Sequence, residues 1–129
     1  MAKSFYITTT LPYVNAEAHM GHALEFIRAD VIARYKKLQG YDVFFNTGTD
    51  EHGQKLYLAA KEAGKHVKDY VDEYAETFKS LLPLLGVMEE IHFIRTTDPH
   101  HEKAAQEFWK KAGVNNKIDL RIAPAQETL

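Results

Sequence analysis

The 129-residue chain contains no cysteine, so it can carry neither a disulfide framework nor a thiolate zinc site. Excess positive charge is missing too: sixteen Lys and Arg against eighteen Asp and Glu leave a formal net charge of −2. Composition therefore does not advertise nucleic acid, and any RNA is expected to find its main electrostatic dock elsewhere. No apolar run approaches the ~20 residues of a spanning helix, and Met1-Ala2-Lys3-Ser4 opens without the apolar stretch of a signal peptide. The expectation is a cytoplasmic protein with no membrane partner. Internal repeats, low-complexity tracts and Ser/Gly linkers are also absent.

What is present reads as alternating strand and helix, the signature of an α/β fold. Phe5 to Thr10 is rich in β-branched and aromatic residues and ends at Pro12, as a buried strand running into a turn does. Leu11 to Ala18 is then its exit loop. From Gly21 to Gln39, the residues Leu24, Ile27, Val31, Tyr35 and Leu38 recur at helical spacing, and Gly40 stops the helix. Tyr41 to Asn46 predicts a second strand, with Thr47-Gly48-Thr49-Asp50 as a polar turn behind it. Strand, helix, strand in this order is a βαβ unit.

Further helices are predicted from Glu51 or Gly53 to Ala63 and from Val67 to about Leu82. The second keeps Val67, Tyr70, Val71, Tyr74, Phe78, Leu81, Leu82 and Leu85 on one stripe, with Pro83 kinking or ending it. Glu90 to Thr96 supplies a short strand, and Asp98-Pro99 opens a last helix that runs to about Ala112. Residues 1–112 form one Rossmann-like unit in this reading, a parallel sheet with flanking helices. Residues 113–129, with a weak alternation from Ile118 to Ile122, are an unassigned tail.

Two segments could carry chemistry. His19-Met20-Gly21-His22 falls where a strand's exit loop becomes a helix, at the end of a parallel sheet where ligands bind. A helix N-terminus offers unpaired N–H groups and partial positive charge, and two imidazoles can donate to phosphate oxygens. Gly21, lacking a side chain, would let a base or ribose approach the backbone. An H-x-x-H pair can equally be a metal pair or a surface accident. With no cysteine nearby and no H-E-x-x-H pattern, phosphate contact fits better than metal ligation.

The other segment is Thr47-Gly48-Thr49-Asp50-Glu51-His52-Gly53. Asp50 could cap the following helix, bind a cation or hold a substrate ammonium, and capping is the commonest use of such a residue. Its position beside the H-x-G-H segment favours the ligand reading. Leu11-Pro12-Tyr13 could wall a pocket or simply turn the chain. Tyr70, Tyr74, Phe78 and Trp109 read as packing, and no partner pattern promotes His92, His100 or His101 to a site.

Pro12-Tyr13-Val14-Asn15 with His19-Met20-Gly21-His22, and then Thr47 to Gly53, resemble the methionyl-tRNA synthetases, a family of class I aminoacyl-tRNA synthetases. Arg95-Thr96-Thr97-Asp98, His101 and Phe108-Trp109 extend the resemblance over about residues 4 to 112. It implies the first half of a class I catalytic domain, which activates methionine with ATP to methionyl-adenylate and passes it to tRNA(Met). Carried over by position, His19 and His22 would stabilise the phosphoryl transition state, Gly21 would lie against ATP, and Glu25 would reach its ribose or base side. Leu11 and Tyr13 would border methionine, and Asp50 would bind its ammonium group. The implied metal is Mg2+ on the phosphates, with no zinc site in this chain. The family's K-M-S-K-S loop does not occur in the 129 residues, so a second chain carrying that half is a possible partner. The alternatives are a non-catalytic ATP-binding domain that needs such a chain, or another nucleotidyltransferase with H-x-G-H.

Overall fold

A computed structural model describes residues 2–118. Its elements run β1 Ser4–Thr8, α1 Met20–Leu38, β2 Asp42–Thr49, α2 Gln54–Glu62, α3 Val67–Leu84, β3 His92–Arg95 and α4 Pro99–Lys111, closed by a 3-10 turn at Asn115–Lys117. The strands form one parallel sheet in the order β1-β2-β3. The α/β, Rossmann-like fold class expected from the alternation is therefore present. The alternation proposed for Ile118 to Ile122 lies, beyond Ile118, outside the described residues.

Side chains of one parity along the strands point into a single core. Ile7, Val43, Phe45 and Phe93 meet Phe26, Ala29 and Ala33 of α1 and Val71, Ala75, Phe78 and Leu82 of α3 there. Burying a large apolar side chain contributes roughly 1.5–3 kcal/mol, so Phe26, Phe45 and Phe78, all fully buried, dominate this contact. The stripe expected for α3 is the one it buries. Pro83 sits inside the last turn of α3, and the chain leaves the helix through Gly86. Pro83 lacks the N–H that would donate to the Lys79 carbonyl, so it removes one bond of the ladder, and the helix ends one residue later.

α1 departs from expectation. Its apolar spacing is helical, but the face turned to the sheet is Ala23, Phe26, Ala29, Asp30 and Ala33. Leu24, Ile27, Val31, Tyr35 and Leu38 point outward, Leu38 being 87% exposed. Small alanines let the helix lie close to the strands, and Asp30 is tolerated inside because it accepts from Met88 N–H at 2.9 Å and from Arg34 at 2.7 Å. On the opposite sheet face an aromatic row crosses all three strands: Tyr6 stacks on Phe44 at 5.7 Å, and Phe44 on His92 at 4.3 Å.

The expected turn at Thr47-Gly48-Thr49 is instead the end of β2, paired with Phe93, Ile94 and Arg95 of β3. Thr47 and Thr49 stay in the interior because their hydroxyls have partners, Thr9 Oγ1 at 2.6 Å and Glu51 Oε1 at 2.6 Å. Gly48 is required by close approach: a Cβ there would lie 1.8 Å from the Ile94 carbonyl oxygen. Gly48→Ala is expected to destabilise the domain by about 3 kcal/mol, the upper end for overpacking. Urea unfolding of the two proteins measures this, and an unchanged midpoint would mean that β2 and β3 are not so close.

Candidate functional site

Both segments singled out in the sequence emerge at the carboxyl end of the sheet. β1 and β2 pair in register from Ser4↔Asp42 to Thr8↔Asn46, so their exits lie side by side. Beyond the sheet the loops meet again: Asp50 N–H donates to the Pro12 carbonyl at 2.9 Å, and Tyr13 and Asp50 form an isolated parallel bridge. Val14, fully buried, and the Tyr70 hydroxyl, 3.3 Å from the Asn15 carbonyl, anchor the first loop to the core and to α3.

The histidines form the N-terminal cap of α1. His19 is the N-cap residue, and its Nδ1 accepts from Gly21 N–H at 3.1 Å, while His22 Nδ1 accepts from His19 N–H at 3.2 Å. This is a reciprocal capping box built from imidazoles in place of the usual hydroxyl and carboxylate. The rings stack with centroids 3.8 Å apart, and the Phe78 ring meets His22 edge-on at 5.0 Å. An Nδ1 that accepts a hydrogen bond carries no proton, so each neutral ring keeps its N–H at Nε2. Gly21 makes the arrangement possible, since a Cβ there would lie 2.8 Å from His19 Cε1.

Glu25, one turn further along α1, reaches back to the exit of β1. Its two oxygens accept from the amide and hydroxyl of Thr10, each at 2.7 Å. A cavity of about 320 Å³ opens beside this latch, lined by Thr8, Thr9, Gly21, Leu24, Glu25 and Arg28. A larger one, about 490 Å³ between α3 and β3, holds none of the residues expected in the site. His19, His22, Leu11, Tyr13 and Asp50 are not in the lining of either cavity. The structure thus groups Gly21, Glu25 and the imidazoles on α1, and Leu11, Tyr13 and Asp50 on the adjoining loops.

Asp50 does not cap α2. The N-cap of that helix is Gly53, whose φ of 118° only glycine adopts readily, and it makes no side-chain cap bond. Asp50 Oδ1 accepts from His52 N–H at 3.3 Å, and among the described residues no Lys or Arg forms an ion pair with it. The capping use weighed for Asp50 is therefore not the one it has. The glycine conformation separates the strand end from the helix and leaves the carboxylate at the sheet's edge. No three His, Asp or Glu side chains converge as a metal site among the described residues.

The sequence reading quoted Glu51 and Arg95 within its motifs but gave neither a role. Glu51, next to Asp50, is buried and receives both arms of the Arg95 guanidinium at 2.6 and 2.9 Å. Arg95 also binds Asp72 of α3. The partners lie far apart along the chain, and no spacing rule connects them.

A parallel sheet with flanking helices, and an imidazole-capped helix at its first strand exit, is a Rossmann-like α/β architecture. The family model described as tRNA synthetases class I (M) matches residues 5–124, and the chain belongs to that family. The matched span runs past Gly113 into the residues left unassigned. The chain is 54% identical over 114 residues to the methionine–tRNA ligase of Thermotoga maritima and 47% over 111 residues to that of Caldanaerobacter subterraneus subsp. tengcongensis. These alignments take in 88% and 86% of the chain but only 18% and 17% of the relatives, so the chain spans less than a fifth of their length. Among solved structures, Mycobacterium tuberculosis methionyl-tRNA synthetase bound by methionyl-adenylate superposes with a TM-score of 0.80 at 42% identity, over 86% of this chain and 22% of that one. The LeuRS of Agrobacterium radiobacter K84, in a ternary complex with tRNA and LeuAMS, gives 0.74 at 25% identity, over 87% and 15%.

Partial burial lowers the pKa of His22 below its ordinary 6.5, the neighbouring His19 adds to this, and Glu25 opposes it. The folded state then binds fewer protons than the unfolded state just below pH 6.5. The stability contributed by neutral His22 is full above that value and is lost as pH falls from there through the lowered folded-state pKa. An NMR titration is expected to place the His22 midpoint below 6.5 with the proton on Nε2. A midpoint above 6.5 would remove the capping arrangement.

Proposed function

We propose that this chain is the H-x-G-H half of a methionine-activating catalytic domain. It would bind ATP and methionine, form methionyl-adenylate and serve methionyl transfer to tRNA(Met) together with the remainder of a synthetase. The observation that carries the reading is the pair of stacked imidazoles on the α1 N-terminus, each with Nε2 as its donor, beside a loop whose aspartate has no cationic partner among the described residues. Residues 1–112 are read as the first half of the Rossmann-like domain, and α1 with apolar residues on two faces suits a helix with neighbours on both sides. The same reading includes a cytoplasmic location; among the described residues no helix is long and apolar enough to cross a membrane.

In the proposed reaction a methionine carboxylate oxygen attacks the α-phosphorus of ATP, the bond to the bridging oxygen breaks, and pyrophosphate leaves. The terminal ribose hydroxyl of the tRNA then attacks the activated carbonyl and AMP departs. His19 and His22, as neutral Nε2–H donors backed by the helix dipole, stabilise charge on the phosphoryl oxygens without transferring a proton. Gly21 and Glu25 border the nucleotide at the 320 Å³ cavity. Leu11 and Tyr13 line the methionine side, and Asp50 pairs with the ammonium group. Mg2+ on the triphosphate would neutralise its charge. The ion would be held by the phosphate oxygens of the nucleotide; among the described residues no three His, Asp or Glu side chains converge.

The family's lysine loop is outside these 129 residues, and a segment or second chain bearing it would complete the phosphate side. The test is methionine-dependent ATP–pyrophosphate exchange by the chain supplemented with a K-M-S-K-S half. His22→Ala is expected to slow exchange by about 10²-fold with methionine affinity unchanged. Asp50→Ala is expected to weaken methionine binding by about 10- to 100-fold, the worth of a charged hydrogen bond, and to leave ATP binding alone. Calorimetric ATP binding without exchange would support the non-catalytic alternative; exchange indifferent to both substitutions would sink the assignment.

A further inference from the structure

The chain places a fully buried carboxylate directly beside the one proposed to meet substrate. The Glu51 side chain has 0% exposure, against 28% for its partner Arg95. Every lone-pair direction of Glu51 that the described residues fill is filled from two strand ends. Thr49 Oγ1 donates from β2, Arg95 Nε and Nη2 from β3, and Thr97 Oγ1 from the turn after β3. The backbone is stitched to the same turn: Glu51 N–H donates to Thr96 Oγ1 at 2.9 Å, Thr96 N–H to the Thr49 carbonyl at 3.2 Å, and His52 Nε2 lies 3.2 Å from the Thr96 carbonyl. Asp50, one residue earlier, is bonded the other way, to Pro12 and Tyr13 of the β1 exit.

We propose that Glu51 and Arg95 are positioning residues for the amino-acid side of the site: their buried ion pair fixes the β2 exit so that Asp50 and Tyr13 keep their bridge. The inference rests on the reading of Asp50 given above. A buried ion pair seldom adds net stability over an apolar pair of the same size, because desolvation offsets the attraction. What it adds is a unique geometry, and here the bidentate fork permits one relative placement of β2, β3 and the loop between Thr49 and His52. The same pair also sets the local charge. Glu51 is neutralised by Arg95, and Asp72, which faces Arg95 from α3, is shared with Lys68. At the end of β2, of its two carboxylates Asp50 and Glu51, Asp50 is then the one that lacks a cation among the described residues. Hydrogen bonding to Glu51, and secondarily to Asp72, keeps the Arg95 pKa above its ordinary value, so the guanidinium stays charged at any working pH.

The test compares the chain with Arg95→Met, Arg95→Lys and the double variant Glu51→Leu/Arg95→Met, in which two apolar side chains replace the pair and protect folding. Two readouts are taken on each: amide hydrogen exchange at Asp50, whose N–H donates to Pro12, and calorimetric affinity for methionine and for ATP separately. The double variant is expected to stay folded by thermal melt while Asp50 amide exchange speeds up about 10-fold or more. Methionine affinity should fall about 10-fold with ATP affinity within a factor of about two. Arg95→Lys, which keeps charge without the fork, should fall between the double variant and the parent. Unchanged protection of the Asp50 amide in the folded double variant, or equal loss of methionine and ATP affinity, would overturn the proposal. Should the parent chain bind no methionine, the functional reading of Asp50 fails, while the exchange measurement still decides whether the clamp holds the loop.

Discussion

Where β1 and β2 leave the sheet, the amide of Asp50 donates to the carbonyl of Pro12, and that bond joins the two loops proposed to carry the site. It exists because the strands below it are parallel and in register, so that both chains arrive at the same edge at the same height. Slip the register by one residue and every side chain on β2 changes face. Phe45 would leave the core, Thr47 would lose the Thr9 hydroxyl, and Asp50 would no longer meet Tyr13. The site is thus a consequence of strand pairing, and the Glu51–Arg95 fork reinforces it from the other edge of β2.

The histidines couple stability to chemistry in a second way. Helix N-termini leave backbone N–H groups without partners, and a side-chain cap contributes about 1 kcal/mol. In α1 the caps are the same imidazoles that present donors at the strand exit, and the capping bonds fix which nitrogen carries the proton. A hydroxyl or carboxylate would cap as well, but would offer no second donor facing away from the helix. Gly21 serves the same end by giving the His19 ring room to fold over the first turn.

Much of this was legible in one dimension. The alternation of strand and helix, the stripe on α3 and the Asp98-Pro99 helix start all follow from local steric and solvation rules, and the structure has each of them. Two things were not. The inward face of α1 could not be chosen by hydrophobicity, since Leu24, Val31 and Leu38 on one side outweigh the alanines that actually touch the sheet. Thr47 to Thr49 looked like a turn because threonine and glycine are polar or flexible in isolation. Only β3 alongside, with hydroxyl partners at hand, makes them a buried strand end.

The amino-acid sequence by itself determined the element order, the chemical identity of the site groups and, through the two glycine-containing segments, the family to which the chain belongs. Tertiary structure decided which atoms those groups expose. The imidazole tautomers depend on the backbone amides they cap, Asp50 stays uncapped because Gly53 turns the chain first, and Glu51 is buried because Arg95, forty-four positions away, comes to meet it. The physical reason is the same in each case: local rules act through sterics and polarity within a few residues, whereas charge compensation and donor direction are settled by whatever the fold brings within hydrogen-bond distance.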